Sequence, residues 1–217
     1  MLVNLKQIFI PPGNILQLKD VNWQLFESIL EELGESRVTR LTYNKGLLEI
    51  MNPLPEHEDD KEIIGDLVKI ILEALNLEYR SLGSTTFKKE QESGIEPAQC
   101  FYIQNEAKVR GKKRLNLMVD PPPDLVIEID ITSRTQLNVY ETLKVPEIWR
   151  YNGEYLQISI LQEDKYIDSQ TSLIFPNLLL TNVIPEYVER CQVMGRLATL
   201  KSFKNWLREQ LSSTSKS

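Results

Sequence analysis

Apolar positions recur at helical spacing in several stretches of the chain and alternate with polar ones in others. Between Asp20 and about Glu35, Trp23, Phe26, Ile29, Leu30 and Leu33 share one helix face, with Asp20 placed to cap and Gly34 to terminate. From about Glu56 to Leu77, Ile63, Ile64, Leu67, Ile70, Ile71, Ala74 and Leu75 form a second stripe. Ser133–Leu143 is short and helix-compatible, and Thr181–Cys191 and Ala198–Leu211 read as C-terminal helices. Alternation predicts a β-hairpin from Arg37–Tyr43 and Leu47–Met51 around Asn44-Lys45-Gly46. Short strands follow at Tyr79–Leu82, Thr85–Lys89 and Gln99–Ile103. A second hairpin joins Pro146–Tyr151 to Glu154–Leu161 across Asn152-Gly153, and Lys165–Phe175 suggests one more. Residues 1–19 read as an irregular or short extended arm broken by Pro11-Pro12-Gly13. The expected division is an N-terminal arm and helix over 1–36, one domain over 37–212, and a disordered tail over 213–217.

One stretch departs from ordinary patterning. Pro121–Arg134 reads PPPDLVIEIDITSR. Leu125, Val126, Ile127, Ile129 and Ile131 make the near-continuous, β-branched run of a strand buried on both faces. Asp124, Glu128 and Asp130 interrupt it at even spacing, which places all three on one strand face. Buried carboxylates are costly without a partner, so the cluster points to a divalent cation held by oxygen ligands. The plainer alternative is that Asp124 caps the strand start, Glu128 pairs with a base and Asp130 lies beyond the buried part.

Two further clusters bear on chemistry. Glu56, Glu58, Asp59, Asp60 and Glu62 crowd the start of the second helix, where the helix dipole favours acids. One of them, with Glu62 the candidate, is within plausible reach of a metal. Lys108, Arg110, Lys112, Lys113 and Arg114 surround Gly111, either as a solvated loop or as a phosphate-contacting one.

Composition narrows the picture. At 217 residues, 41% hydrophobic and 26% charged, this is an ordinary globular chain. No apolar stretch is long enough for a membrane span, and the N-terminus, with one lysine and no small-residue cleavage site, makes a poor signal peptide. A cytoplasmic location is therefore expected. The net charge of −6 argues against a large nonspecific nucleic-acid surface. Cys100 and Cys191 fit no zinc or redox spacing, and His57 as the single histidine disfavours histidine-rich metal sites and triads.

The order of elements, together with DLVIEI at Asp124–Ile129 and VPEIW at Val145–Trp149, resembles the Uma-two family of bacterial proteins. That resemblance implies an α/β (α+β) restriction-endonuclease-like fold of the PD-(D/E)xK type, with a mixed central sheet flanked by helices and additional β-hairpins. It implies a Mg- or Mn-dependent DNA endonuclease, in which strand carboxylates hold an ion that activates water. Glu128 matches the acid of the (D/E)xK half-motif, with Asp124, Glu96 or Glu62 completing the ion's shell. The first motif acid is expected after Pro97, where the chain has Ala98; Glu96 lies two residues earlier. The family lysine is expected four residues before Tyr140, where the chain has Gln136, and Asp130 stands at the classical lysine position. The resemblance with these departures implies weakened or absent catalysis by Glu128 and Gln136. The alternatives are a non-catalytic nucleic-acid binder using Lys108–Arg114, or a homodimeric scaffold using an exposed edge at Glu154–Leu161.

Overall fold

The computed structural model describes residues 7–34, 37–83, 85–132 and 134–214. In chain order the elements are β1 (Ile15–Leu18), α1 (Trp23–Leu33), β2 (Arg40–Asn44), β3 (Leu47–Met51), α2 (Pro55–Ala74), β4 (Arg80–Gly83), β5 (Phe87–Lys89), β6 (Ser93–Ile95) and β7 (Gln99–Tyr102). Then come α3 (Glu106–Val109), β8 (Leu125–Ile129), α4 (Leu137–Leu143), β9 (Glu147–Tyr151), β10 (Leu156–Gln162), β11 (Lys165–Ser169), α5 (Leu180–Met194) and α6 (Arg196–Thr214). Glu35 and Ser133, at the ends of two expected helices, lie outside the described residues, as do residues 1–6 of the expected arm and 215–217 of the expected tail.

The central sheet runs β11-β10-β9-β8-β7-β4. Among the described residues only β8 and β9 pair in parallel; α4 makes the crossover between them. The odd residues of β8, Leu125, Ile127 and Ile129, join the core built with α2, α5 and α6, while Val126 joins a second core with Val139, Tyr140 and Leu143 of α4. Burial on both faces accounts for the unbroken apolar run.

A second sheet runs β1-β3-β2-β6-β5. Lys45 and Gly46 both take positive φ, 45° and 95°, which is the two-residue turn that matches the twist of a hairpin. Leu41, Tyr43, Leu48 and Ile50 alternate onto α1, whose Phe26 stacks on Tyr43 with ring centroids 4.8 Å apart. Gly94 of β6 leaves room for that ring: a Cβ there would sit 2.7 Å from Phe26 Cζ. The remaining face of β2 and β3 looks toward the end of β8.

Several local expectations change. Asn22 caps α1 through its side chain, which accepts from Leu25 N–H at 2.8 Å, and Asp20 instead adopts φ 57°. Ile15–Leu18 is a strand paired with β3, because its apolar residues close that sheet's edge. Lys165–Phe175 forms one strand, not a hairpin, since β11 folds back on β10. That pairing also corrects the proposed dimer edge at Glu154–Leu161: β10 is paired on both sides, so the open edges of the central sheet are β11 and β4. Residues 213 and 214 continue α6. Among the described residues no helix is long and apolar enough to cross a membrane.

Candidate functional site

The second sheet and the C-terminal end of β8 enclose a cleft of about 60 Å³. Arg40, Thr42 and Glu49 line it from the hairpin, Glu96 from the segment before β7, and Glu128, Asp130, Arg134 and Gln136 from β8 and the turn after it. Room for only a few waters keeps bases and sugars outside its mouth.

Glu128 sits at its base. Extending the β7–β8 register by one residue puts Ala98 directly opposite Glu128. Paired residues share a sheet face, so a methyl stands where the first motif acid is expected. The Ala98 N–H donates to Glu128 Oε2 at 3.2 Å, and the Tyr140 hydroxyl from α4 donates to Oε1. Burial pushes the Glu128 pKa up to about 7, with the Asp130 charge adding to it; the bonds from Tyr140 and Ala98 and the Arg40 charge oppose the rise.

The other carboxylates are engaged separately. Glu96 pairs with Arg37, accepts from the Thr86 hydroxyl, and takes the Leu41 N–H at 3.1 Å. Asp130 accepts the Thr135 hydroxyl at 2.6 Å and the Thr135 N–H at 3.1 Å; burial raises its pKa against those bonds. Gln136, in the residue before α4, donates from Nε2 to Glu49 at 3.0 Å, and Gln17 donates to the same oxygen at 2.8 Å.

Of the expected site residues, Glu128, Glu96 and Gln136 meet in this cleft. Asp124 does not join them. It precedes β8 and satisfies the Ile103 N–H at 2.6 Å and the Asn105 N–H at 3.0 Å, about 13 Å along the strand from Glu128. Sharing a strand face did not bring the two acids together, because Asp124 lies at the opposite end and binds backbone amides there. Glu62 lies on the exposed side of α2 beside Lys61 and does not line the cleft. It is Glu58 of that acidic turn that reaches toward the site, pairing with Arg40 and Lys61, whose bonds outweigh burial and hold its pKa low.

The basic loop lies at the other end of β7 from Ala98, also about 13 Å or more from Glu128. There Lys108 donates to Asn105 at 2.9 Å, Arg110 pairs with Glu106, and Lys112 pairs with Asp120. Lys113 and Arg114 are exposed.

A divalent ion does not fit these donors. Glu128 faces a methyl and two hydrogen-bond donors, Glu96 is neutralised by a guanidinium, and Asp130 is taken by Thr135. Among the described residues no group of three or more His, Cys, Asp or Glu side chains is placed to hold a metal. Sequence reasoning missed Arg37, Arg40 and Glu49. Their signal is the alternation in the first hairpin: with Leu41, Tyr43, Leu48 and Ile50 buried on α1, Arg40 and Glu49 must face away from it.

Comparisons with known proteins place the chain. No curated protein matches it. A solved structure titled a "putative nuclease belonging to DUF820" from Anabaena variabilis ATCC 29413 is 13% identical, with a TM-score of 0.48, over 86% of this chain and 99% of that one. The profile of the Uma2 family, described as "Putative restriction endonuclease", matches residues 23–193, most of the chain. On that match, and with a mixed α/β architecture consistent with the restriction-endonuclease-like fold, the chain belongs to the Uma2 family.

Proposed function

We propose that this chain is a degenerate member of a nuclease family: it keeps the scaffold of a Mg- or Mn-dependent DNA endonuclease but hydrolyses phosphodiesters weakly or not at all. The observation that carries this reading is the state of Glu128, closed by Tyr140 and the Ala98 N–H and opposed by a methyl group. Gln136 supplies no charge to a phosphate, and its amide is already engaged with Glu49. The test is conversion of supercoiled plasmid to nicked circles with each metal. Wild type is expected to match Glu128→Gln, and the double variant Ala98→Asp/Gln136→Lys to exceed both. Nicking by wild type that equals that of the double variant and that Glu128→Gln abolishes would overturn the reading.

The second reading, nucleic-acid binding without cleavage, is favoured by one feature. Lys113 and Arg114 project from the basic loop with no ion pair among the described residues, while Lys112 and Arg110 are spent on acids. Lys108, bonded only to the neutral Asn105 amide, also keeps its charge, so with three residues left to contact phosphates the logarithm of affinity should fall with the logarithm of salt at a slope of about −3. Neutralising both as Lys113→Gln/Arg114→Gln should flatten that slope in a filter-binding titration. A slope that ignores the double variant would remove the loop from consideration.

A further inference from the structure

A second cavity lies on the far face of the central sheet, away from the motif cleft. It is a groove of about 310 Å³ between α2 and α6. Each wall is one helical stripe: Asp66, Lys69, Ile70 and Glu73 on α2, and Leu197, Leu200, Lys201 and Lys204 on α6. We propose that this groove docks an acidic amphipathic helix of a partner protein.

The fold uses the apolar floor only in part: Ile70 belongs to the main core and Leu200 packs against it, whereas Leu197 does not. α6 already buries Phe203 and Leu207 in the main core, yet Leu197 on its groove side is 70% exposed. An apolar floor between two helices and rimmed by charge is the surface a helix's i, i+3, i+4, i+7 face fits.

Charge selects the occupant. Arg196 and Lys69 share Asp66, at 2.8 Å and 3.2 Å. Lys201 and Lys204 are exposed and form no ion pair among the described residues. α6 carries Arg196, Lys201, Lys204 and Arg208 against Glu209, in a chain whose net charge is −6. This local reversal favours a partner with glutamates or aspartates flanking its apolar stripe, with Glu73 opposing it and the other acidic wall residue, Asp66, already held by Arg196 and Lys69. A second copy of this chain, meeting the groove about a two-fold axis, would set the same basic stripe against itself. A nucleic acid would leave the leucines uncovered.

The probe is a fluorescein-labelled synthetic helix of roughly 16 residues, with leucines at i, i+3, i+4 and i+7 and flanking glutamates, titrated with the full chain by anisotropy. Its counterpart carries lysines at the flanks. The glutamate peptide should saturate below about 100 µM, and Lys201→Glu/Lys204→Glu and Leu197→Ser should each weaken it about tenfold, with unchanged circular dichroism. Equal binding of both peptides, no saturation, or indifference to the double variant would overturn the proposal. So would displacement of the peptide by duplex DNA, or a dimer in sedimentation that Leu197→Ser disperses. None of these outcomes depends on the state of Glu128, so the nuclease reading stands or falls apart from this one.

Discussion

Glu128→Gln is expected to stabilise the protein at alkaline pH and to leave it unchanged in acid. The carboxyl of Glu128 is held at a pKa of about 7 chiefly by burial, above the ordinary 4.5 that it regains on unfolding. Below pH 4.5 both states are protonated and the side chain contributes its full share to stability. Between pH 4.5 and 7 the folded state binds the proton and the unfolded state does not, so stability falls as pH rises. Above pH 7 the loss is complete, at about 3 kcal/mol by the usual conversion of a pKa difference to free energy. Glutamine stands in for the protonated acid at every pH. Its oxygen can accept the Ala98 N–H, and its amide can donate to the Tyr140 hydroxyl, which turns to accept. Urea denaturation at pH 4 and pH 8 should therefore give equal midpoints in acid and a higher one for the variant in base. Asp60, lifted to about 6 by burial, and Asp130 impose the same trend on both proteins, so the difference between them isolates Glu128. Equal midpoints at both pH values would mean that Glu128 is ionised in the folded protein, and the site would then be open to a cation after all.

Much of this site was legible in the chain because its central parts are local. A β-branched run stopped by three prolines specifies β8, and the DLVIEI and VPEIW motifs fix which strand positions to compare. The neutral residues Ala98 and Gln136 then stand out by identity alone. What closes the cleft was not legible in the same way. Arg37, Arg40 and Glu49 come from a hairpin far away in sequence, and periodicity tells which hairpin face leaves α1 but not what that face meets. Asp124 misled for a related reason. Period-two reasoning says which way a side chain points, and says nothing of the end of the strand at which it acts. Distance along β8, not face, separates an acid that caps the amides of Ile103 and Asn105 from one that sits in the cleft. The basic loop is a third case, since charge density in sequence marked a surface without showing that it lies at the other end of β7. Two of its cations are neutralised by Glu106 and Asp120, acids that the sequence places nearby but does not pair.

The same substitution one strand away should act in the opposite direction. Glu147 is the acid of VPEIW and is fully buried. Its carboxylate takes the Trp149 indole N–H at 2.5 Å and the Leu173 N–H at 2.7 Å, with the Ser172 hydroxyl and the Ile174 N–H also bonded to it. Burial raises its pKa, and those four donors pull against the rise. The difference from Glu128 lies in the partners. A hydroxyl can rotate to accept, whereas an indole or backbone N–H can only donate. Glu147→Gln keeps one accepting oxygen and turns its NH₂ group toward N–H donors that cannot accept it. The Ser172 hydroxyl can turn to accept, but of the three N–H donors one or two are then left unmet, at about 1–3 kcal/mol each, for a total of about 3 kcal/mol. For a chain of this size that corresponds to a fall in Tm of about 10 °C. The segment Ser172–Ile174, which Glu147 ties to β9, and the Trp149 ring, which packs edge-on to Phe175 at 6.1 Å, should loosen together. Thermal melting followed by indole fluorescence in a Trp23→Phe/Trp206→Phe background, where Trp149 is the one indole left, reads both effects, with an early change at Trp149 ahead of the global transition. Unchanged melting would show that Glu147 is already protonated and short of an acceptor, leaving the motif glutamate without the stapling role that its four contacts assign to it.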